Sequence, residues 1–199
     1  MRIDYYLSLG SPWAYLGAAR IEALAATRGA TLRPYACDYR ETIFPASGGL
    51  PLPKRSPQRQ AYRMQELRRW RDHLGLPLLL TPTPYDETFA AACVIALRET
   101  QGDAPAVALA HRLLRALWAD GLNPGDRETL ARLIGETGVE AEPLMTLAEE
   151  PRWAAMRQAD SEAALARGVF GAPSYAIGDE LFWGQDRLDF VERHLSRIA

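Results

Sequence analysis

The sequence predicts an α/β fold in which a β-α-β unit at the front and a β-β-α unit at the back form one four-stranded mixed sheet around an inserted all-α stretch. Three observations carry this reading. Residues 2–8 alternate, with Ile3, Tyr5 and Leu7 on one side, as a strand requires. Residues 174–177 and 180–183 are short apolar runs flanking Gly178-Asp179, a hairpin turn signal. Most of the chain between them follows helical spacing.

Taken in order, the first strand ends in polar breaks, and Pro12 falls where a first helical turn tolerates a missing N–H. From Ala14 to about Arg28, Leu16, Ile21 and Leu24 among many alanines predict a helix closed by Gly29, and Thr31 to Asp38 predicts the second strand. Residues 39–57, with Pro45, Pro51, Pro53, Pro57 and the pair Gly48-Gly49, read as a long irregular loop arching over a site. A basic helix follows over residues 57–74, carrying Arg59, Arg63, Arg68, Arg69 and Arg71 beside Tyr62, Leu67 and Trp70. Further helices are expected at about 86–100, 104–119, 126–136 and 140–166, and Arg187 to Arg197 closes the chain as an amphipathic helix.

Composition bounds the class. A chain of 199 residues, 48% hydrophobic and 24% charged and without a low-complexity linker, suits one body carrying an insertion. The expected division is residues 1–57 with 167–199 as one domain and 58–166 as the inserted helical domain. A net charge of −2 gives no reason to expect nucleic acid or an anionic membrane as partner. Residues 1–9 hold a single basic residue, Arg2, and no apolar run approaches the roughly 18 residues of a membrane span, so a cytoplasmic protein is expected. Cys37 and Cys93 match no metal or redox spacing and read as buried free thiols. His73, His111 and His194 each lie in a helical segment with no paired ligand or nucleophile, which predicts structural histidines and no metal.

Two loops hold the chemistry. Ser11-Pro12-Trp13-Ala14 stands at the end of the first strand, where a redox enzyme of thioredoxin-like fold carries Cys-x-x-Cys. A serine cannot exchange a disulfide. Its hydroxyl caps a helix in the ordinary case, but a helix N-terminus also favours an anion, and the hydroxyl can donate to a thiolate brought by another molecule. The second loop, Gly168-Val169-Phe170-Gly171-Ala172-Pro173-Ser174, precedes a short strand. Beyond it, Trp183-Gly184-Gln185-Asp186 leads into the last helix, where an Asp ordinarily serves as an electrostatic cap.

With Leu9 to Gly17, Leu67-Arg68-Arg69-Trp70, Gly168 to Ser174 and Leu181 to Leu188 in view, the whole chain resembles the 2-hydroxychromene-2-carboxylate isomerases. It is similar also to the related kappa-class glutathione transferases, within the wider family of disulfide oxidoreductases that carry an inserted helical domain. The resemblance implies a thioredoxin-like fold, glutathione as cofactor and a homodimer. It implies Ser11 as the catalytic residue that meets the glutathione thiol. It also implies a cis bond before Pro173, with Ala172 pairing its backbone to glutathione, and Trp183, Gly184, Gln185 and Asp186 around the γ-glutamyl end. An aromatic-rich surface around Trp70 and Trp118 is a second reason to expect the dimer.

The substrate side departs from the family. Where the isomerases carry a lysine in the long loop and an Asn-Arg pair at its end, this chain has Ile43 and Pro53-Lys54, with Arg55 next. Lys54 and Arg55 are the candidates for a substrate carboxylate, and Tyr85 is the candidate for a pocket wall. Trp13 and Phe44 read as apolar walls and Tyr15 as a core residue. The expected reaction is glutathione-dependent isomerisation of 2-hydroxychromene-2-carboxylate or a related unsaturated keto acid, through reversible thiolate addition. Conjugation of electrophiles to glutathione shares every glutathione contact. A non-catalytic glutathione- or peptide-binding protein is the reading outside enzymes.

Overall fold

The computed structural model describes residues 1–198. The four strands are β1 (Arg2–Leu7), β2 (Thr31–Ala36), β3 (Ser174–Ile177) and β4 (Glu180–Trp183), in the order β2-β1-β3-β4. β1 pairs with β2 in parallel, from Arg2 opposite Thr31 to Leu7 opposite Ala36. Parallel neighbours need a crossover, and helix α1 (Pro12–Thr27) supplies it. β3 runs antiparallel to β1, placing Tyr5 opposite Tyr175, and turns into β4 through Gly178 at φ +56°.

A central strand is covered on both faces, and Ile3 through Leu7 are all buried. On one face the rings of Tyr5 and Tyr175 stack at 5.4 Å. On the other, Tyr6 and Tyr35 stack at 4.9 Å. The odd carboxylate among them, Asp4, is paired with Arg2 at 2.8 Å and Arg167 at 2.7 Å, as a buried charge must be.

Between β2 and β3 lie a short helix α2 (Phe44–Ser47) and the helices α3 (Pro57–Leu74), α4 (Thr88–Gln101), α5 (Asp103–Arg115), α6 (Arg127–Gly135), α7 (Ala141–Ala148) and α8 (Pro151–Ala166); helix α9 (Leu188–Ile198) follows β4. One apolar cluster joins Ile3, Leu7, Leu16 and Val191 of the sheet layer to Leu67, Ile95, Leu113 and Trp153 of the helical part. The core therefore does not divide where the insertion begins and ends.

α1 does begin as expected, with Ser11 as its cap and Pro12 in its first turn, where proline costs nothing. Several other expectations need correction. The stretch 39–57 is not wholly irregular. Asp38 accepts from Arg40 N and Glu41 N at 3.0 Å each and starts a wide helical turn over Tyr39–Ile43, which runs into α2, and Leu52–Lys54 forms a further turn. The single helix expected over 140–166 is two, because Pro151 lacks the N–H that would continue α7 and instead opens α8. Trp118 is buried and adds no aromatic surface, while Trp70 is half-buried with the Arg20 guanidinium 6.0 Å from its ring. His111 is held in the fold, its Nδ1 3.1 Å from the Glu22 carboxylate and its ring 5.8 Å from that of Tyr5. No helix is long and apolar enough to cross a membrane among the described residues.

Candidate active site

The sheet brings the ends of β1 and β3 together, and with them the two loops. Ser8–Ser11 is a turn closed by Ser11 N–H donating to Ser8 O at 3.1 Å. Ser11 is extended, at φ −87° and ψ 120°, and its Oγ accepts from Ala14 N–H at 3.2 Å. Pro12 has no N–H and Tyr15 N–H is taken by Ser11 O at 3.1 Å. Of the amides in this first turn, Trp13 N–H is left without a protein acceptor among the described residues, so it points its dipole outward as an anion donor.

Opposite stands the loop before β3, with the Ala172–Pro173 bond cis. Gly171 O accepts from Ser174 Oγ at 2.7 Å and from the Tyr39 hydroxyl at 3.3 Å, and Pro173 O accepts from Gly184 N–H at 2.8 Å. These bonds hold the loop from three sides. The Ser11 hydroxyl donates across the gap to Ala172 O, but at 3.4 Å this is a long bond that a better acceptor would displace.

Trp183 lies against Gly171 so closely that any side chain there would strike the indole, and the Phe170 ring packs on Trp183 at 4.6 Å. Both rings remain open to solvent, Trp183 at 52% and Phe170 at 43%. Gly184 turns the chain at φ +102°, and the exposed Asp186 carboxylate rests over it, paired with Arg187 at 2.6 Å. Ser11, Ala172, Pro173, Trp183, Gly184 and Asp186 thus form one cluster. Gln185 is the exception: its side chain is buried and its Oε1 accepts from Arg20 at 2.7 Å, so its amide faces into the fold and not toward a ligand.

Among the described residues, no hydrogen bond or ion pair joins Lys54 or Arg55 to this cluster. Lys54 is exposed. Arg55 donates from Nε to Leu50 O at 2.7 Å and, with Gln58, Arg59, Tyr62 and Arg63, lines a depression of about 410 Å³. None of these three arginines has a carboxylate partner among the described residues. Burial, and then a neighbouring arginine, lowers the pKa of Arg55 and of Arg63, and an entering anion would relieve that crowding. The hydroxyl of Tyr85 is buried with no partner, and burial holds its pKa well above the usual value.

A polar cluster that the motifs did not reveal lies directly behind Ser11. One oxygen of Glu87 accepts from Gly10 N–H at 2.7 Å and from Ser8 Oγ at 2.9 Å, and the other accepts from Arg157 at 3.0 Å. Arg157 also donates to Ala36 O at 3.2 Å and faces Asp38 at 3.8 Å. Burial raises the Glu87 pKa against the pull of Arg157, Ser8 and Gly10. Cys37 and Cys93 are both buried, and burial raises each thiol, Cys93 to about 12, so neither offers a thiolate near neutral pH. Any sulfur nucleophile at Ser11 must come from a ligand.

The chain is 28% identical to a 2-hydroxychromene-2-carboxylate isomerase of Sphingobium xenophagum, covering 97% of each chain. It is 28% identical to one of Pseudomonas putida, covering 100% of this chain and 96% of the relative. A solved 2-hydroxychromene-2-carboxylate isomerase superposes with a TM-score of 0.87 at 26% identity, covering 100% of this chain and 96% of the other. Residues 2–196 match the DSBA-like thioredoxin domain, nearly the whole chain, and the chain belongs to the DSBA-like thioredoxin family.

Proposed function

We propose that the protein is a glutathione-dependent isomerase of 2-hydroxychromene-2-carboxylate or a closely related unsaturated keto acid. The observation that carries the reading is the state of Ser11. Its oxygen caps a helix, its proton is spent only on a 3.4 Å bond to Ala172 O, and it stands where an anion meets both the free Trp13 N–H and the helix dipole. A family built for sulfur chemistry here keeps its receiving loop and supplies no sulfur. The isomerase names of its full-length relatives then indicate which chemistry the borrowed sulfur serves.

When bound, glutathione would supply a thiolate nucleophile for reversible addition to the conjugated carbon of the substrate, the chemistry that makes a double bond rotatable. The chain's own residues act around that event. Ser11 turns its proton from Ala172 O to the sulfur and lowers the thiol pKa, with Trp13 N–H and the α1 dipole adding to it. The backbone of Ala172 pairs with the cysteinyl backbone of the ligand. The Asp186 carboxylate meets the γ-glutamyl ammonium, exchanging its surface pair with Arg187 for a second cation. Trp183 and Phe170 wall the site, and Arg55 with Arg59 and Arg63 draws in a carboxylate.

Calorimetric titration with glutathione, followed by absorbance assays of 2-hydroxychromene-2-carboxylate with and without it, tests the proposal. Saturable binding and turnover that depends on glutathione, without its consumption, are expected. Absence of glutathione binding overturns it, and consumption in step with product would mark a transferase instead. The homodimer rests on the family resemblance, and the cytoplasmic location on the lack of an apolar run of membrane length in the sequence. Light scattering at micromolar concentration should give twice the chain mass, and a monomer would remove the dimer.

A further inference from the structure

We infer that Glu87, at the start of α4 in the helical insertion, is the positioning residue for Ser11: it fixes the Ser8–Ser11 turn from behind by taking its two inward donors on a single oxygen. This rests on the reading of Ser11 as the residue that receives the thiol. The turn has four residues between β1 and α1. Its own closure is the Ser11 N–H to Ser8 O bond, and the buried side chain of Leu9 pins its middle. Gly10 N–H and the Ser8 hydroxyl remain, both directed at Glu87 Oε2, at 2.7 and 2.9 Å, and Gly10 N–H also approaches Ser8 Oγ at 3.2 Å. Gly10 is bonded covalently to Ser11, so a shift of the acceptor moves the hydroxyl that must meet the sulfur.

The second oxygen explains why a carboxylate can serve here. A bare negative charge so close to Ser11 would oppose a thiolate. Arg157 of α8 sits on Oε1 at 3.0 Å and cancels it, and Arg157 is itself held by Ala36 O at the end of β2. Two helices of the insertion are thereby tied to the ends of both parallel strands, at the point where the sheet presents its site. The charge of Glu87 is needed for the pair with Arg157, whereas the location of its oxygen is needed for the turn.

That separation gives the test. In Glu87→Gln an amide oxygen can still accept from Gly10 N–H, but the charge facing Arg157 is lost. In Glu87→Asp the charge is kept and the acceptor is withdrawn by one methylene. Melting temperature, glutathione affinity and kcat on 2-hydroxychromene-2-carboxylate are measured for both, for Ser8→Ala and for Ser11→Ala. Glu87→Asp should lose about tenfold or more in kcat with little change in glutathione affinity, the scale of one bond to a charged acceptor. Glu87→Gln should keep most of its kcat whatever its melting temperature, and Ser8→Ala, which keeps the Gly10 bond, should lose less than Glu87→Asp. The reverse order of Gln and Asp, equal rates for the two, or rates that follow melting temperature overturn the inference. Should Ser11→Ala run at the wild-type rate, the Ser11 reading fails and this inference with it; should Ser11→Ala be slow while Glu87→Asp is fast, only this inference fails.

Discussion

Replacing Ser11 by alanine removes one oxygen with two neighbours, Ala14 N–H at 3.2 Å and Ala172 O at 3.4 Å. The first contact is the cap of α1, and losing such a cap costs about 0.5–2 kcal/mol. At roughly 2–4 °C per kcal/mol for a domain of this size, the melting temperature should fall by about 1–8 °C, leaving the fold intact. The second contact is too long to add much. Against a thiolate the same hydroxyl makes a bond to a charged group, worth about 1.5–3 kcal/mol, which is a loss of about 10- to 150-fold in rate. The apparent pKa of the bound glutathione thiol should rise by about 1–2 units, readable from the ultraviolet absorbance of the thiolate. Glutathione affinity should change far less, because Asp186 and the Ala172 backbone are untouched. The assay is isomerisation of 2-hydroxychromene-2-carboxylate at saturating glutathione. A variant that turns over at the wild-type rate refutes the mechanism, and thiolate stabilisation would then belong to the α1 dipole and Trp13 N–H.

Glu87 makes a signed prediction about pH. Burial raises its pKa in the fold, so the folded chain holds that proton more tightly than the unfolded chain, and its contribution to stability grows as pH falls through the folded value toward the unfolded one. The groups around it are Arg157, Asp38, Asp86, Tyr39, Tyr85 and Ser8. Wild type should therefore gain on Glu87→Gln in thermal melts as pH is lowered across the acid range; a gap that narrows instead would mean the pair with Arg157 outweighs desolvation. Gly17→Ala places a Cβ 2.8 Å from Gln185 Cβ and 3.0 Å from the Tyr175 hydroxyl, and overpacking of about 1–3 kcal/mol should exceed the roughly 1 kcal/mol gained in helix propensity. A melting temperature above wild type for Gly17→Ala would show that α1 does not dock as closely on the turn at Gln185.

Much of the fold was legible because its signals are local. Ser11 before Pro12 announces a helix start, Gly178-Asp179 announces a hairpin, and Gly29 ends α1 with φ +61°. The front and back halves of the sheet each carry their own local pattern, but their pairing across the insertion was indicated by the family resemblance and is seen in the register of Tyr5 opposite Tyr175. The misreadings are of another kind. Proline density in residues 39–57 suggested an irregular loop, but Pro45 falls in a helix's first turn, where its ring is harmless. Trp118 looked like surface because a tryptophan in a charged helical region carries no sign of which neighbours will cover it.

The site divides along the same line. Ser11 stands at a legible helix start, whereas Ala172, Pro173, Trp183, Gly184 and Asp186 were named by the family resemblance, and the structure gathers all six around the ends of β1, β3 and β4. Gln185 looked equally available, yet Arg20 from the middle of α1 claims its amide, a pairing 165 residues apart that no local pattern encodes. Glu87 is the converse case. An acidic residue at the start of a helix is the most ordinary cap there is, and α4 indeed begins just after it, but the Glu87 side chain makes no cap bond. It reaches back across 77 residues to Gly10 and forward across 70 to Arg157. Asp86 serves the helix start instead, accepting from Thr88 N–H at 2.9 Å, so the Glu87 carboxylate is left for the turn that ends in Ser11.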